Sequence, residues 1–244
     1  MRLFKYRDLS NPTEGLPRLR QILLTYGFWA ASADTLNDPD EYFWDVDYSP
    51  TAQTASLLSR SLVTHRGLAL AEAASLARHS VELGRVAAVA APVLGALQQR
   101  IRSTVGVVCF GGRPDNMTLW ERYAASGNGV CVELDAPDSL LGDQLHEVEY
   151  VSDKRVHIDT FLAASAPDAV RPMYKAALLT KTRAWEGERE TRYLSRIHGV
   201  AIRLQKSQVV RLWLGRALEV SIRKQVLQMV QDLPYPVTVA EGDA

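Results

Sequence analysis

The sequence is poor in cysteine and carries no net charge. Of its 244 residues only two are cysteines, Cys109 and Cys131, and both lie in the strand-like apolar runs VGVVCF and GVCVEL. A thiol in such a run usually packs as a small hydrophobic side chain, so we expect no disulfide framework and a reducing cytoplasm. Lysine plus arginine and aspartate plus glutamate each number 28. This balance excludes a global field that would draw the protein onto nucleic acid or an anionic membrane.

Long apolar runs, repeats and glycine-rich loops are also missing. No stretch approaches the roughly 18 uninterrupted apolar residues of a membrane span, and the N-terminal MRLFKYRDLSN lacks the apolar core of a signal peptide. The segment GRALEV at 215–220 lacks the glycine spacing of a dinucleotide fingerprint. These absences predict a cytoplasmic protein that stays out of the membrane and does not use a glycine-rich phosphate loop.

What the sequence contains is an irregular alternation of short strand patterns with helical ones. The strand patterns include LFKY at 3–6, VGVVCF at 105–110, VCVELD at 130–135, ETRYLSRI at 190–197 and QVVRLWLG at 208–215. Because these strands follow no regular βαβ cycle, the sequence predicts an α+β fold with a mixed, mostly antiparallel sheet and flanking helices.

Residues 51–102 differ in amino-acid composition from the rest of the chain. They are rich in alanine and leucine, with apolar positions such as Leu68, Ala71 and Ala74 at spacings of three. This pattern predicts a helical insertion or lid of two or three helices within a single α+β domain spanning 1–244. Such an apolar face is compatible with a protein partner and equally with an ordinary buried helix.

A row of charged residues follows Trp185 in the segment TRAWEGERETRYL. Side chains two apart share a face of a strand, so Glu188, Glu190 and Arg192 are predicted to point the same way, and Glu186 extends the row. Like charges at this spacing repel unless they bind a cation, a proton or a polyhydroxyl ligand. The pattern alone leaves two interpretations open, a functional site and a solvated edge strand whose charges discourage pairing.

Three further stretches carry polar or aromatic side chains with two interpretations each. Arg7 ends the first strand, where a guanidinium can bind a phosphate with two parallel hydrogen bonds or form a surface salt bridge. Trp120 and Tyr123 lie one helical turn apart; Trp120 is expected in the core, and Tyr123 either packs or forms the wall of a pocket. The acidic segment 34–41 lacks the spacing of a calcium loop and favours a turn.

Four groups of motif residues occur in order between residue 3 and about residue 230. They are Tyr6-Arg7; Asn37-Asp38-Pro39 with Glu41; Cys109-Phe110 followed by Trp120, Tyr123-Ala124 and Gly129-Val130-Cys131; and Trp185, Glu188, Glu190 and Arg192. In this order the chain resembles the bacterial domain of unknown function 2971 family. The resemblance favours the acidic row as a functional site.

A more distant resemblance suggests an activity. The order of an arginine on the first strand, an aromatic and serine-bearing second strand and a late Glu-x-Glu is similar to the Arg, Ser, Glu-x-Glu scheme of mono-ADP-ribosyltransferases. The resemblance implies that NAD is the cofactor, that Glu190 is the catalytic carboxylate and that Glu188 positions the accepting group. It implies binding of NAD by Arg7, Tyr6, Trp29, Ser32, Asn37, Tyr123 and Arg192. Two features depart from the scheme: AAS at 30–32 replaces Ser-Thr-Ser, and Arg192 either binds phosphate or pairs with Glu190.

The implied chemistry suits a fixed carboxylate. Cleavage of an N-glycosidic bond builds positive charge on the ribose, and a carboxylate placed where that charge appears lowers the barrier. The implied setting is a toxin, an effector or a phage-defence component that acts on a dinucleotide substrate, with a protein, nucleic-acid or small-molecule acceptor left open. No metal is required.

Two other classes of function compete with this one. In a metal-dependent nuclease or nucleotide hydrolase, Glu188 and Glu190 would hold a divalent cation together with Asp38 or Glu41. In a non-catalytic interaction or sensing module, the helical insertion would be the partner surface and the acidic row would be structural.

Overall fold

The protein is described by a computed structural model that covers residues 1–32, 35–38, 41, 44–140, 144–163, 170–204 and 208–242. The chain divides into two compact units, each built from separate segments. The first unit comprises Met1–Ser32, Val105–Val148 and Ala184–Ala244, and the second comprises Ala33–Thr104 and Glu149–Arg183.

Helices and strands alternate irregularly along the chain. The helices are α1 Pro12–Thr25, α2 Thr54–Arg66, α3 Leu70–Glu82, α4 Val86–Thr104, α5 Met117–Tyr123, α6 Ile158–Ala163, α7 Val170–Leu178 and α8 Val220–Gln231. The strands are β1 Arg2–Asp8, β2 Gly27–Ala30, β3 Asp45–Asp47, β4 Gly106–Gly111, β5 Gly129–Asp135, β6 Leu145–Glu147, β7 Glu149–Val151, β8 Arg155–His157, β9 Thr180–Thr182, β10 Glu190–Ser195, β11 Val200–Arg203, β12 Gln208–Leu214 and β13 Thr238–Glu241.

A seven-stranded sheet forms the centre of the first unit, in the order β13-β12-β5-β1-β4-β10-β6. All neighbouring strands run antiparallel except β12 and β13, which are parallel. The prediction of an α+β fold with a mixed, mostly antiparallel sheet and flanking helices is confirmed. Among the described residues, every helix is too short or too polar to cross a membrane.

The helix α1 packs on one face of this sheet. Asn11 caps its first turn by accepting a hydrogen bond from the Thr13 backbone N–H, as capping residues do. Leu19, Ile22 and Leu23 recur at helical spacing and are buried in the main core. The helix ends at Thr25, and its C-cap residue Tyr26 has a left-handed backbone with φ 53°. Its C-cap therefore lies one residue before the glycine that begins β2.

The two faces of β1 enter different hydrophobic clusters because successive side chains alternate. Leu3 belongs to the main core with α1. Phe4 and Tyr6 point to the other face, where they form a smaller cluster with Leu119 and Trp120 of α5. The side chain of Lys5, two residues after Leu3, therefore leaves β1 on the same face as Leu3, toward the main core.

β1 separates from β4 along most of its length. β1 pairs with β5 at every residue from Arg2 to Asp8. Among the described residues, its pairing with β4 is limited to Phe4 with Gly111. Farther along β4, Val107 pairs instead with Ala31, just after β2. A wedge-shaped gap is thus left between two central strands of the sheet.

The second unit contains the predicted helical region together with a later part of the chain. Three helices occupy the region 51–102 and extend to Thr104, and α2 contacts α3, α4 and also α6. Thr54 on α2 donates a hydrogen bond of 2.7 Å to the Asp159 carboxylate. Two short parallel pairs, β3 with β8 and β7 with β9, complete the unit. The unit is therefore larger than the insertion that composition indicated.

Candidate functional site

A cavity of about 240 Å³ lies in the first unit at the wedge between β1 and β4. Its charged and aromatic lining includes Lys5 and Arg7 of β1, Arg18 of α1, Arg122 and Tyr123 of α5, and Glu190 of β10. A larger open groove of about 560 Å³ runs along the end of α8 and residues 233–239, and the described residues that line it include no charged side chain. We therefore place the candidate site at the smaller, charged cavity.

Two cationic side chains of β1, those of Lys5 and Arg7, line the cavity at the place where β1 does not pair with β4. Lys5 Nζ donates a hydrogen bond of 2.8 Å to the carbonyl oxygen of Cys109 on β4. Arg7 Nε is buried and has no hydrogen-bond partner within the described part of the chain. A buried donor without an acceptor is costly for a folded protein. The Arg7 guanidinium is therefore suited to an acceptor that a ligand would supply.

The protein environment of these two cations disfavours their charged forms. The pKa of Lys5 is lowered to about 8, mainly by burial and also by repulsion from Arg7, against the attraction of Cys109 and Glu190. Burial likewise lowers the pKa of Arg7 to about 10, with repulsion by Arg18 as the second cause. Burial is the larger cause of both shifts and repulsion between the cations the second, and an anion would offset both.

Glu190 is held by a buried ion pair. Arg192 Nε and Nη2 donate to the same oxygen, Glu190 Oε2, at 2.9 and 2.7 Å. The Arg192 side chain is 1% exposed and that of Glu190 4%. Of the two roles that the sequence left open for Arg192, the structure shows the pair with Glu190. Two donors on one oxygen fix the carboxylate in a single orientation at the cavity wall.

The strand expected for the whole acidic row begins only at Glu190. Residues Arg183–Glu188 form a 3-10 helix, and Arg189 has a left-handed backbone with φ 47°. Strand alternation therefore does not apply to Glu186 and Glu188, and that prediction was wrong for them. The turn at Arg189 gives the two glutamates separate environments although they are two residues apart.

Glu188 is fully buried and bonded to side chains of α5. Its Oε1 accepts hydrogen bonds of 3.0 Å from Arg122 Nη1 and 3.0 Å from the Tyr123 hydroxyl. The Arg122 guanidinium also stacks on the Trp185 ring, with 4.4 Å from its central carbon to the ring centroid. Glu188 thus fixes two side chains that line the cavity, and it is not itself part of the lining found in the described residues.

The Tyr6 hydroxyl is engaged in a structural contact. It donates to the Arg113 carbonyl at 2.6 Å and accepts from the Asn116 backbone N–H at 3.3 Å. The ring packs edge-on against Trp120, with 5.3 Å between centroids. Burial raises the pKa of Tyr6 above its usual value. Tyr6 borders the cavity, but its hydroxyl shapes the turn before α5.

Besides Glu188 and Arg192, three residues implied by the resemblance are not among the described residues that line the cavity. Trp29 is 52% exposed on β2, because its neighbours Phe28 and Ala30 take the core face. Ser32 ends the first segment of the first unit and is not among the residues that line the cavity. Asn37 is exposed and belongs to the second unit.

Sequence reasoning missed three cations of the cavity, Lys5, Arg18 and Arg122. Lys5 was detectable because it shares a strand face with Arg7. Arg18 and Arg122 carry no such signal, since their positions depend on how α1 and α5 pack on the sheet.

The carboxylates proposed for a metal site are distributed over both units. Asp38 and Glu41 belong to the second unit. Glu41 Oε2 lies 4.0 Å from the buried amine of Lys181. Within the ranges that the structure describes, no group of three or more histidine, cysteine, aspartate or glutamate side chains is arranged to hold a metal ion.

Comparisons of the chain with protein-family models, with curated proteins and with solved structures found no match.

Proposed function

We propose that the protein is an NAD-dependent mono-ADP-ribosyltransferase whose reaction takes place at the cavity of the first unit. The observation that carries the proposal is that Arg7, Tyr123 and Glu190 line the same cavity. These residues come from three distant parts of the chain, and the cavity combines phosphate-binding cations with a fixed carboxylate. That combination suits a ribosyl donor linked to phosphate.

The size of the cavity indicates which part of the donor it would enclose. A volume of about 240 Å³ lies below the roughly 300–1,000 Å³ of pockets that enclose a drug-sized ligand. It therefore fits only a part of a dinucleotide, a ribose and the phosphates linked to it, and the remainder would extend beyond it.

In the proposed reaction the carbon–nitrogen bond between ribose C1′ and nicotinamide breaks, and its electron pair goes to the ring nitrogen. Glu190 stabilises the positive charge that develops on the ribose, because its carboxylate is fixed by Arg192 and is shielded from water. The acceptor then bonds to C1′ and loses a proton. A preorganised carboxylate needs no rearrangement at this step, which is where its catalytic effect arises.

Glu188 has a different role in this proposal from the one that the resemblance implied. Because it is fully buried and bonded to Arg122 and Tyr123, it positions these side chains and does not contact the acceptor. Tyr123 is left to pack against the nicotinamide and Arg122 to line the cavity. The acceptor stays open between a protein, a nucleic acid and a small molecule.

Membership of the domain of unknown function 2971 family is part of the proposal, as is a cytoplasmic role as a toxin, an effector or a phage-defence component. The motif residues that suggested the family support it in one respect. Tyr6, Cys109, Tyr123 and Glu190 all border the one cavity, although they are far apart in the sequence.

The test is release of nicotinamide from NAD labelled in the nicotinamide ring, in the presence of a cell lysate as the source of acceptor. We expect wild type to release label and Glu190→Gln to be slower by about 100-fold or more, because the variant removes the charge that stabilises the ribosyl cation. The matched control is Glu186→Gln, at an exposed position of the same segment, which should keep wild-type activity.

Folding of Glu190→Gln is checked by circular dichroism at the assay temperature, because the variant leaves the buried Arg192 without its carboxylate. Equal rates for Glu190→Gln and wild type would overturn the proposal. Turnover that requires added divalent metal and stops with a chelator would favour the metal-dependent hydrolase instead.

A further inference from the structure

We infer that Lys5, Arg7 and Arg18 form a binding site for a diphosphate group, in which the Lys5 amine is a direct phosphate ligand. The inference rests on the proposed function only for the identity of the natural ligand. The anion site itself follows from the contacts of these three residues.

The first argument is the placement of the two strand residues. Lys5 and Arg7 are two apart on β1, on the same face, which separates their backbones by about 7 Å. Both side chains line the cavity. Their spacing suits two linked phosphate groups better than one small anion, since each cation can then bind oxygens of a different phosphorus.

The second argument is that Lys5 and Arg7 make no ion pair with a carboxylate among the described residues. The nearby carboxylates bond to other side chains, since Arg192 donates twice to Glu190 and Arg122 donates to Glu188. Lys5 bonds to a neutral carbonyl, and Arg7 Nε has no partner among the described residues. A ligand with several negative charges would supply the missing acceptors.

The third argument concerns Arg18 at the rim. Its Nη2 lies 3.2 Å from Glu14 Oε2 one turn earlier on α1, and both side chains are more than half exposed. An exposed pair of this kind contributes little to stability. The Arg18 guanidinium can therefore exchange Glu14 for a phosphate at small cost, which would complete the site from the helix side.

Protonation of Lys5 supports the assignment and makes it testable. The charged or titratable groups around the amine are Arg7 and Asp8 on its own strand, Cys109 on β4, Arg18 on α1, Arg122 and Tyr123 on α5, and Glu190 on β10. Because the pKa of Lys5 is lowered to about 8, the amine loses its proton as the pH rises through that value. A bound anion favours the charged form, so binding near pH 8 should take up protons.

The experiment is calorimetric titration of the full chain with inorganic pyrophosphate at pH 7, compared with inorganic phosphate and sulfate. We expect pyrophosphate to bind more tightly than either, and Lys5→Gln and Arg7→Gln each to weaken it by about tenfold or more. The matched control is Arg20→Gln, an exposed arginine of α1 outside the cavity lining, which should bind as wild type does.

A second measurement isolates the Lys5 amine from the protonation of the ligand. Between pH 7 and 9.5 the pyrophosphate affinity of wild type should fall relative to that of Lys5→Arg, whose guanidinium stays charged. Equal pH dependence in these two proteins would overturn the role of Lys5, even if one of the glutamine variants failed to fold. Failure of pyrophosphate to bind wild type would overturn the whole site.

The outcome can be separated from that of the proposed function. Pyrophosphate binding without nicotinamide release would leave the anion site in place and remove the transferase. Nicotinamide release that depends on Glu190 but not on Lys5 would support the transferase and remove Lys5 from the anion site.

Discussion

At the scale of single residues, the buried pair of Glu190 and Arg192 combines a role in stability with a role in the proposed reaction. Both side chains are buried, and their opposite charges lie 2.7 Å apart and compensate each other. Removal of one partner of a buried pair typically costs about 3–5 kcal/mol, whereas replacement of both by apolar residues is often neutral.

We therefore predict that Arg192→Met and Glu190→Leu each lower the free energy of unfolding by about 3 kcal/mol, and that the double variant is more stable than either single variant. Urea unfolding of the four proteins of this cycle would measure the coupling. Additive losses in the double variant would show that the pair does not act as a unit.

The second prediction at this scale concerns the amine of Lys5. Its pKa is lowered to about 8 in the folded protein from about 10.4 in an unfolded chain. Below pH 8 both states carry the proton, so the folded state bears the full penalty of the charge. Between pH 8 and about 10.4 only the unfolded state keeps the proton, and stability from this group rises.

Lys5→Met is thus expected to raise the free energy of unfolding at pH 7 by about 1–2 kcal/mol, a range that allows for partial exposure of the side chain. The gain should shrink as the pH rises from 8 to 10. Lys224→Met, at an exposed position of α8, is the control in the same urea titrations. A gain that stays constant with pH would contradict the electrostatic cause.

At the scale of elements, the close approach of β5 to β1 depends on a glycine. A Cβ atom at Gly129 would lie 2.2 Å from the Arg7 carbonyl oxygen and 2.9 Å from Ala124 Cα. These contacts are to backbone, which cannot move aside as a side chain does. The register of β1 and β5 and the position of Arg7 are therefore linked through this site.

Gly129→Ala is expected to lower the free energy of unfolding by about 2–3 kcal/mol and to weaken pyrophosphate binding by displacing Arg7. The matched substitution is Gly95→Ala in α4, where a Cβ atom would meet nothing within 4 Å. There alanine should stabilise the helix by about 0.5–1 kcal/mol. Thermal melts of both variants decide the point, and a shift of the same sign in both would contradict it.

The elements also show what local sequence can and cannot predict. The alternation along LFKY at 3–6 predicted β1, and the apolar spacing within 51–102 predicted the helices α2 to α4, because strand and helix periodicity depend only on neighbours along the chain. For the 3-10 helix before Glu190 the sequence predicts a strand, because charged residues at every second position imitate alternation. Its cause, bonding of Glu188 to α5, lies 66 residues away.

At the scale of the whole molecule, each unit is assembled from distant segments, and no local pattern indicates that division. The run HEVEYV at 146–151 illustrates the limit, since β6 pairs with β10 in the first unit and β7 with β9 in the second. The order of the sequence motifs predicted Arg7, Tyr123 and Glu190 as residues of one functional site. That they line one cavity depends on sheet order, which the sequence left undetermined.

The segmented first unit leads to a prediction about independent folding. Ala31 pairs with Val107, and the Val148 backbone N–H donates to the Glu190 carbonyl at 3.0 Å. The ends of the first break are therefore neighbours, and at the second break Val148 lies beside Glu190, in the segment that resumes at Ala184. We expect a shortened chain, in which short glycine-serine linkers replace 33–104 and 149–183, to fold cooperatively and to bind pyrophosphate as the full chain does. Circular dichroism melts and calorimetry test this, and a chain that stays unfolded would contradict it.

The bond from Lys5 to the Cys109 carbonyl has a consequence for observing the cavity. Where β1 does not pair with β4, the Lys5 amine donates to a backbone carbonyl that a neighbouring strand would otherwise satisfy. A ligand that recruits the amine would release this carbonyl, so a carbon-13 label at Cys109 should report occupancy through its infrared band and its resonance. The backbone itself would then act as an indicator of binding, without any dye or chemical tag.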